Sequence, residues 1–146
     1  MSSATPAIRN ATPQDAAEIA RLSAQLGYPA SPETFAARLQ KLLESPRHAV
    51  LVAAEGTRLS GFVATEQRMS LELGERVEIV ALVVDAGARR TGVGKALVAA
   101  AEQWAIDIGT PDVFLRSNIL RQESHPFYES LGYTRTKTQH AYTKPL

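Results

Sequence analysis

Apolar residues recur along this chain with two different spacings, and the change between them separates helical from extended stretches. After a short extended run at Ala7–Asn10, Ile19, Leu22 and Leu26 recur at three and four positions, one face of a helix. Thr12 precedes that helix as N-cap, Pro13 suits its first turn, Asp15 closes a capping box, and Gly27 can end it in a left-handed cap. A second helix opens at Ser31-Pro32, turns Phe35, Leu39, Leu42 and Leu43 inward and stops at Ser45-Pro46. From His48 onward the spacing is that of strands. His48–Ala54 and Leu59–Thr65 flank Glu55-Gly56-Thr57-Arg58 as a hairpin, and a third run, Met69–Leu73, turns at Gly74-Glu75 into Val77–Val84. That last run is almost wholly apolar, as for a strand buried on both faces, with Glu78 its one charged interior residue.

A long helix follows from Gly92, with Val93, Leu97, Ala100, Ala101, Trp104 and Ile108 on one face and Gly109 and Pro111 past its end. Val113–Asn118 reads as a further strand, Ser124–Leu131 as a short helix capped by Gly132, and Tyr133–Lys144 as a terminal hairpin without an obvious turn. This order predicts an α/β (α+β) fold in which a mixed sheet carries helices on both faces. The length of 146 residues suits one domain, with its core from about residue 6 and residues 1–5 frayed.

Composition narrows the chemistry. A net charge of +1 gives no general pull toward nucleic acid. Without cysteine there can be no disulfide, thiolate catalysis or Cys-ligated zinc, and His48, His125 and His140 are too scattered to form a metal pattern. No apolar run reaches the roughly eighteen residues of a membrane span, and the N-terminal residues do not read as a signal peptide. The expectation is a cytoplasmic protein with no membrane or metal involvement.

The strongest chemical signal lies between the buried strand and the long helix: Arg89-Arg90-Thr91-Gly92-Val93-Gly94-Lys95. Glycines let a backbone approach a ligand closely, and a helix start offers free N–H groups with the positive end of the dipole behind them. Three cationic side chains complete the parts of a pyrophosphate site. A dinucleotide fingerprint would need Gly or Ala where Leu97 stands; a Walker loop would need Gly at Arg89 and Ser or Thr at Ala96. A tight strand-to-helix turn alone would also use glycines here.

The segment Glu78–Leu97 resembles the signature of the GNAT superfamily, the Gcn5-related N-acetyltransferases: an apolar strand, then Arg/Gln-x-x-Gly-x-Gly/Ala opening a helix. A second block is similar too: Leu115-Arg116-Ser117-Asn118, then Arg121, then His125-Pro126-Phe127-Tyr128-Glu129-Ser130-Leu131-Gly132-Tyr133. The resemblance, running from Ile8 to Leu146, implies a mixed, mostly antiparallel sheet of about six or seven strands. It implies acetyl-CoA as acetyl donor, its pantetheine arm lying in a gap between the Val77–Val84 strand and the next. Backbone groups of Leu82, Val83 and Val84 would bond to that arm. N–H groups in the stretch Arg90, Thr91, Gly92, Val93, Gly94 and Lys95 would hold the pyrophosphate, beside Arg89. Asn118 would reach the pantetheine from the other side, and Arg121 belongs to the same cofactor-binding set; by itself Asn118 also fits a turn.

Amine acetylation needs a neutral amine and a proton for the departing thiolate. By resemblance Glu78 takes the place of the glutamate base and Tyr128 that of the tyrosine acid. Burial in an apolar strand would raise the Glu78 pKa, unless the side chain faces solvent or pairs with Arg68 or Arg76. Tyr128 could instead be a core aromatic. The expected acceptor is a small primary amine, with a protein amine second and a non-catalytic CoA-binding module as the reading from another class. Family habit also implies a homodimer.

Overall fold

The computed structural model describes residues 6–117 and 124–146. The chain divides into two compact units, Met1–Leu115 and Arg116–Leu146. In the first, β1 (Ala7–Asn10), β2 (His48–Glu55), β3 (Arg58–Ser70), β4 (Gly74–Val84) and β5 (Val113–Leu115) form one sheet in chain order. Every pairing is antiparallel except the last, β4 with β5, which is parallel. A parallel neighbour cannot be reached by a hairpin. The helix α3 (Val93–Asp107) is the crossover that returns the chain.

The other two helices of this unit are α1 (Ala16–Gln25) and α2 (Pro32–Leu43). Ile19 and Leu22 of α1 and Leu39 of α2 pack on Val50, Val52, Phe62 and Val83, one face of the sheet. Leu51, Ala53, Gly61 and Val63 alternate with these and face the other way, where Gly61 lies under Val93 and Leu97 of α3. Helices thus cover both faces, as expected. The helix starts also agree with their signals. Asp15 accepts the Thr12 N–H at 2.8 Å, Ser31 Oγ accepts the Thr34 N–H at 3.0 Å, and Gly27 has φ +86°.

Several expectations are corrected. The described residues hold five strands rather than six or seven. Two of the apolar runs are one 13-residue strand, β3, because the chain reverses only at 71–73, where Ser70 Oγ accepts the Leu73 N–H at 3.0 Å. The Tyr133–Lys144 segment forms no hairpin; its Thr, Lys and Arg side chains are exposed and supply no apolar face on which strands could pack. In the second unit the expected short helix, α4 (Ser124–Ser130), is present, and the left-handed cap stands at Gly132 with φ +93°. Leu43 is exposed, one position beyond the inward stripe of α2, and Val80 is 57% exposed within the run expected to be buried on both faces.

Asp15 is buried and takes two hydrogen bonds from the Arg9 guanidinium, at 2.8 and 2.9 Å. This pairing first, and the Thr12 N–H after it, hold its carboxyl below the ordinary carboxylate range. A depressed folded-state value adds stability that is complete above the unfolded value of about 3.9 and lost as pH falls through the folded one. Asp15→Asn will therefore cost about 1–3 kcal/mol at neutral pH. It will also flatten part of the acid limb of a Tm–pH curve. Calorimetric melts from pH 7 to pH 2 check both.

Candidate functional site

Two irregularities in β4 set up the site. The first is a bulge. Thr65 pairs with Ile79 and Ala64 with Ala81, so Val80 is an extra residue with no opposite number. The second is an early parting. The ladder to β5 runs Val77–Val113, Glu78–Phe114, Ile79–Leu115, and no described residue pairs with that side of β4 beyond Ile79. Among the described residues of this unit, β4 therefore presents an open edge past the bulge.

Which backbone groups face that edge follows from the pairing. The Asp85 N–H bonds to the Ser60 carbonyl at 2.8 Å, and bonded pairs alternate along an antiparallel ladder. Val83 and Ala81 thus turn their main-chain groups toward β3, and Leu82 and Val84 turn theirs to the open side. The Val83 carbonyl lies only 2.7 Å from where a Cβ on Gly61 would stand, which agrees. Of the three backbone partners expected from the sequence, Val83 is the one turned away.

From Val84 the chain enters a 3-10 turn at Ala86–Ala88 and then the basic loop. Arg90 has φ +66° and Gly92 φ +90°. Left-handed backbone is costly for arginine, on the order of 1–2 kcal/mol, and such strain concentrates at ligand sites. The first intrahelical bond of α3 joins the Ala96 N–H to the Gly92 carbonyl at 3.0 Å. That leaves the N–H groups of Val93, Gly94 and Lys95 without an acceptor among the described residues. Gly92 supplies no capping side chain and the first turn holds no acid. Arg89, Arg90 and Lys95 are exposed, and none is in an ion pair among the described residues. Cations crowd the positive end of a helix dipole, an arrangement that an anion would relieve. The loop fits a diphosphate group.

Glu78 lies just before the open edge, buried, with Arg68 Nη1 2.9 Å from Oε1. The expectation of a lone desolvated carboxylate is not met: of the two possible partners, Arg68 takes it. Arg76 instead bonds to Asp112 at 3.0 Å and lies 4.2 Å over the Phe114 ring. A row crosses the sheet here, His48 opposite Glu66, Glu66 opposite Glu78, Glu78 opposite Phe114. Arg68 bridges the two carboxylates, with Nε 3.3 Å from Glu66, and His48 Nε2 lies 3.1 Å from Glu66. Sequence reading missed the parts played by His48 and Glu66, because no local signal announces a cross-strand row.

In the second unit Tyr128 is half-buried on α4, edge-to-face with Phe127 at 5.1 Å and Tyr133 at 6.2 Å. Its carbonyl accepts the N–H groups of Leu131 and Tyr133. Asn118 and Arg121 lie outside the described residues.

The sequence model of the Acetyltransferase (GNAT) family matches residues 15–133. The chain belongs to the GNAT family. As a GNAT protein it is an acyl-CoA-dependent acetyltransferase. It is 31% identical over 103 residues to the uncharacterized N-acetyltransferase YhdJ of Bacillus subtilis strain 168, covering 70% of this chain and 72% of that one. It is 27% identical over 150 residues to the aminoglycoside N(6')-acetyltransferase type 1 of Stenotrophomonas maltophilia, covering 100% and 97%. The fold superposes on the aminoglycoside N-acetyltransferase AAC(6')-Iy in complex with CoA, with TM-score 0.86, 21% identity and coverage of 96% and 95%. No described helix of this GNAT chain is long and apolar enough to cross a membrane.

Proposed function

We propose that this GNAT protein transfers the acetyl group of acetyl-CoA to a primary amine of a small molecule, with aminoglycoside-type amino sugars as the leading class. The single observation that carries the acceptor class is the likeness to an aminoglycoside N(6')-acetyltransferase over the whole chain. For the donor, the open edge at Leu82 and Val84 leads directly into the basic loop. The pantetheine amides of CoA can bond along that edge while the coenzyme's diphosphate sits on the N–H groups of α3, framed by Arg89, Arg90 and Lys95. Asn118 and Arg121 belong to the same proposal by motif alone.

In the reaction the amine nitrogen attacks the thioester carbonyl carbon; the C–N bond forms and the C–S bond breaks. By motif, Glu78 takes the proton that the attacking nitrogen sheds and the Tyr128 hydroxyl gives one to the departing thiolate. The bulge supports the first role, since it puts Glu78 on the sheet face that carries α1 and α2 and leaves it one residue short of the opening. A coenzyme A release assay across a library of amines, with amino sugars, diamines and lysine peptides as separate arms, tests the acceptor. Turnover confined to peptides would overturn the small-molecule reading, and the absence of release with every amine would leave a CoA-binding module.

The cradle has its own test. Valine at position 92 would have to hold φ near +90°, which a β-branched residue strongly resists. Gly92→Val should weaken CoA binding at least tenfold, about 1.4 kcal/mol or more by calorimetry. Unchanged affinity would remove this loop from the donor site.

A further inference from the structure

Outside the loop itself, a polar network in the first unit converges on Asp85, the residue that follows the end of β4. Gln25 Nε2 donates to Asp85 Oδ1 at 3.1 Å, and Gln25 Oε1 accepts the Ala86 N–H at 3.0 Å. One side-chain amide thus grips a carboxylate and the next backbone N–H together. Arg21 Nη1 and Arg58 Nη2 each lie 3.3 Å from Asp85 Oδ2. Arg21 is fixed in turn by Glu18 at 2.8 Å and by the Leu59 carbonyl at 2.9 Å, and Glu18 accepts the Leu59 N–H at 2.9 Å. Asp85 then caps the 3-10 turn, its carbonyl accepting the Ala88 N–H at 2.8 Å. The left-handed Arg90 follows two residues later.

The chemistry of Asp85 makes this network more than a fastening. A carboxylate four residues before Arg89 would repel an incoming diphosphate unless its charge were offset. Two guanidiniums and an amide donor do that, and Gln25 first among them holds the Asp85 carboxyl below its usual range. Side chains that fix a binding group by packing and hydrogen bonding set how well the group is aimed.

We propose that Gln25, assisted by Arg21 and Arg58, is a positioning residue for the donor's diphosphate, clamping Asp85 and Ala86 so that the Arg89–Lys95 cradle is pre-formed and its acidic neighbour is neutralised. This rests on the reading of that loop as the diphosphate site. It makes α1 a support of the donor site as well as a wall of the core.

Titrations with CoA and with pantetheine, which lacks the diphosphate, test the clamp. Gln25→Ala should raise the Kd for CoA about tenfold, since small misplacements of a binding group are expensive. Its Kd for pantetheine should stay within twofold of wild type. Gln25→Glu, which sets a second carboxylate beside Asp85, should lose more CoA affinity than Gln25→Ala. Should Gln25→Ala fail to fold, Arg58→Gln at the 66%-exposed partner should show a smaller loss with the same selectivity for CoA. Equal losses for both ligands, or none, would overturn the proposal. Gly92→Val separates the causes: if it loses CoA affinity while Gln25→Ala does not, the clamp alone fails. If Gly92→Val binds CoA normally, the cradle reading fails and the clamp with it.

Discussion

Replacing Tyr128 by phenylalanine will slow turnover about 10²–10⁴-fold, the usual worth of a positioned proton donor. Affinity for CoA should be unchanged. The ring contacts with Phe127 and Tyr133 involve no hydroxyl, so the substitution keeps the packing of α4. Glu78→Gln should behave differently. Its defect will be largest where the acceptor amine is still protonated and will shrink as pH rises and free amine forms without help. The amide keeps the shape of the side chain but leaves Arg68 with Glu66 as its only carboxylate among the contacts described. Parallel pH–rate profiles of wild type and both variants, on an acceptor from the amine screen, separate the two roles. A Glu78→Gln profile that overlays wild type at every pH makes Glu78 a structural partner of Arg68. A fully active Tyr128→Phe passes proton donation to water.

The second large effect falls on the fold. A Cβ at Gly61 would meet the Val83 carbonyl oxygen at 2.7 Å, Leu97 Cδ1 at 3.0 Å and Val93 Cγ1 at 3.2 Å. A backbone oxygen in a ladder cannot swing aside as a side chain can. Gly61→Val will therefore push β3, β4 and α3 apart, at a cost of about 3 kcal/mol and a Tm loss on the order of 10 °C. Gly87→Ala is the matched control, since nothing lies within 4 Å of its added Cβ and its φ is ordinary. It should shift stability by less than about 0.5 kcal/mol. Denaturant unfolding of both proteins would decide, and a Gly61→Val chain as stable as wild type would mean that the strands are less tightly held than described.

What could be read from the sequence was mostly what is encoded locally. Thr12, Ser31 and Gly27 mark helix ends because capping involves only a few consecutive residues, and they stand where expected. The basic loop was legible for the same reason: its glycines and cations are contiguous. Reading failed where the deciding interaction spans the chain. Whether Glu78 stands alone depends on β3 continuing past Thr65 far enough for Arg68, two residues beyond the Glu66 that faces Glu78, to reach it diagonally. Gln25 and Asp85 are 60 positions apart, and neither belongs to a motif. The family resemblance names Leu82, Val83 and Val84 together, whereas the direction of each carbonyl depends on ladder phase, which a motif does not spell out. The terminal hairpin was expected from strand propensity alone, and propensity without an apolar face does not hold two strands together.

The extra residue at Val80 has a consequence in terms of chain length rather than chemistry. Its side chain is 57% exposed, so many residue types would serve there, and a scan of substitutions would score the position as free. Yet Glu78 shares a face with Ala81 and Val83 only because one residue intervenes out of step. Remove that residue, and either Glu78 turns over to the side of α3 or the open edge slips by one position against the basic loop. An in-frame deletion of one codon here would do what no replacement could: the position carries its information by existing, whichever amino acid fills it.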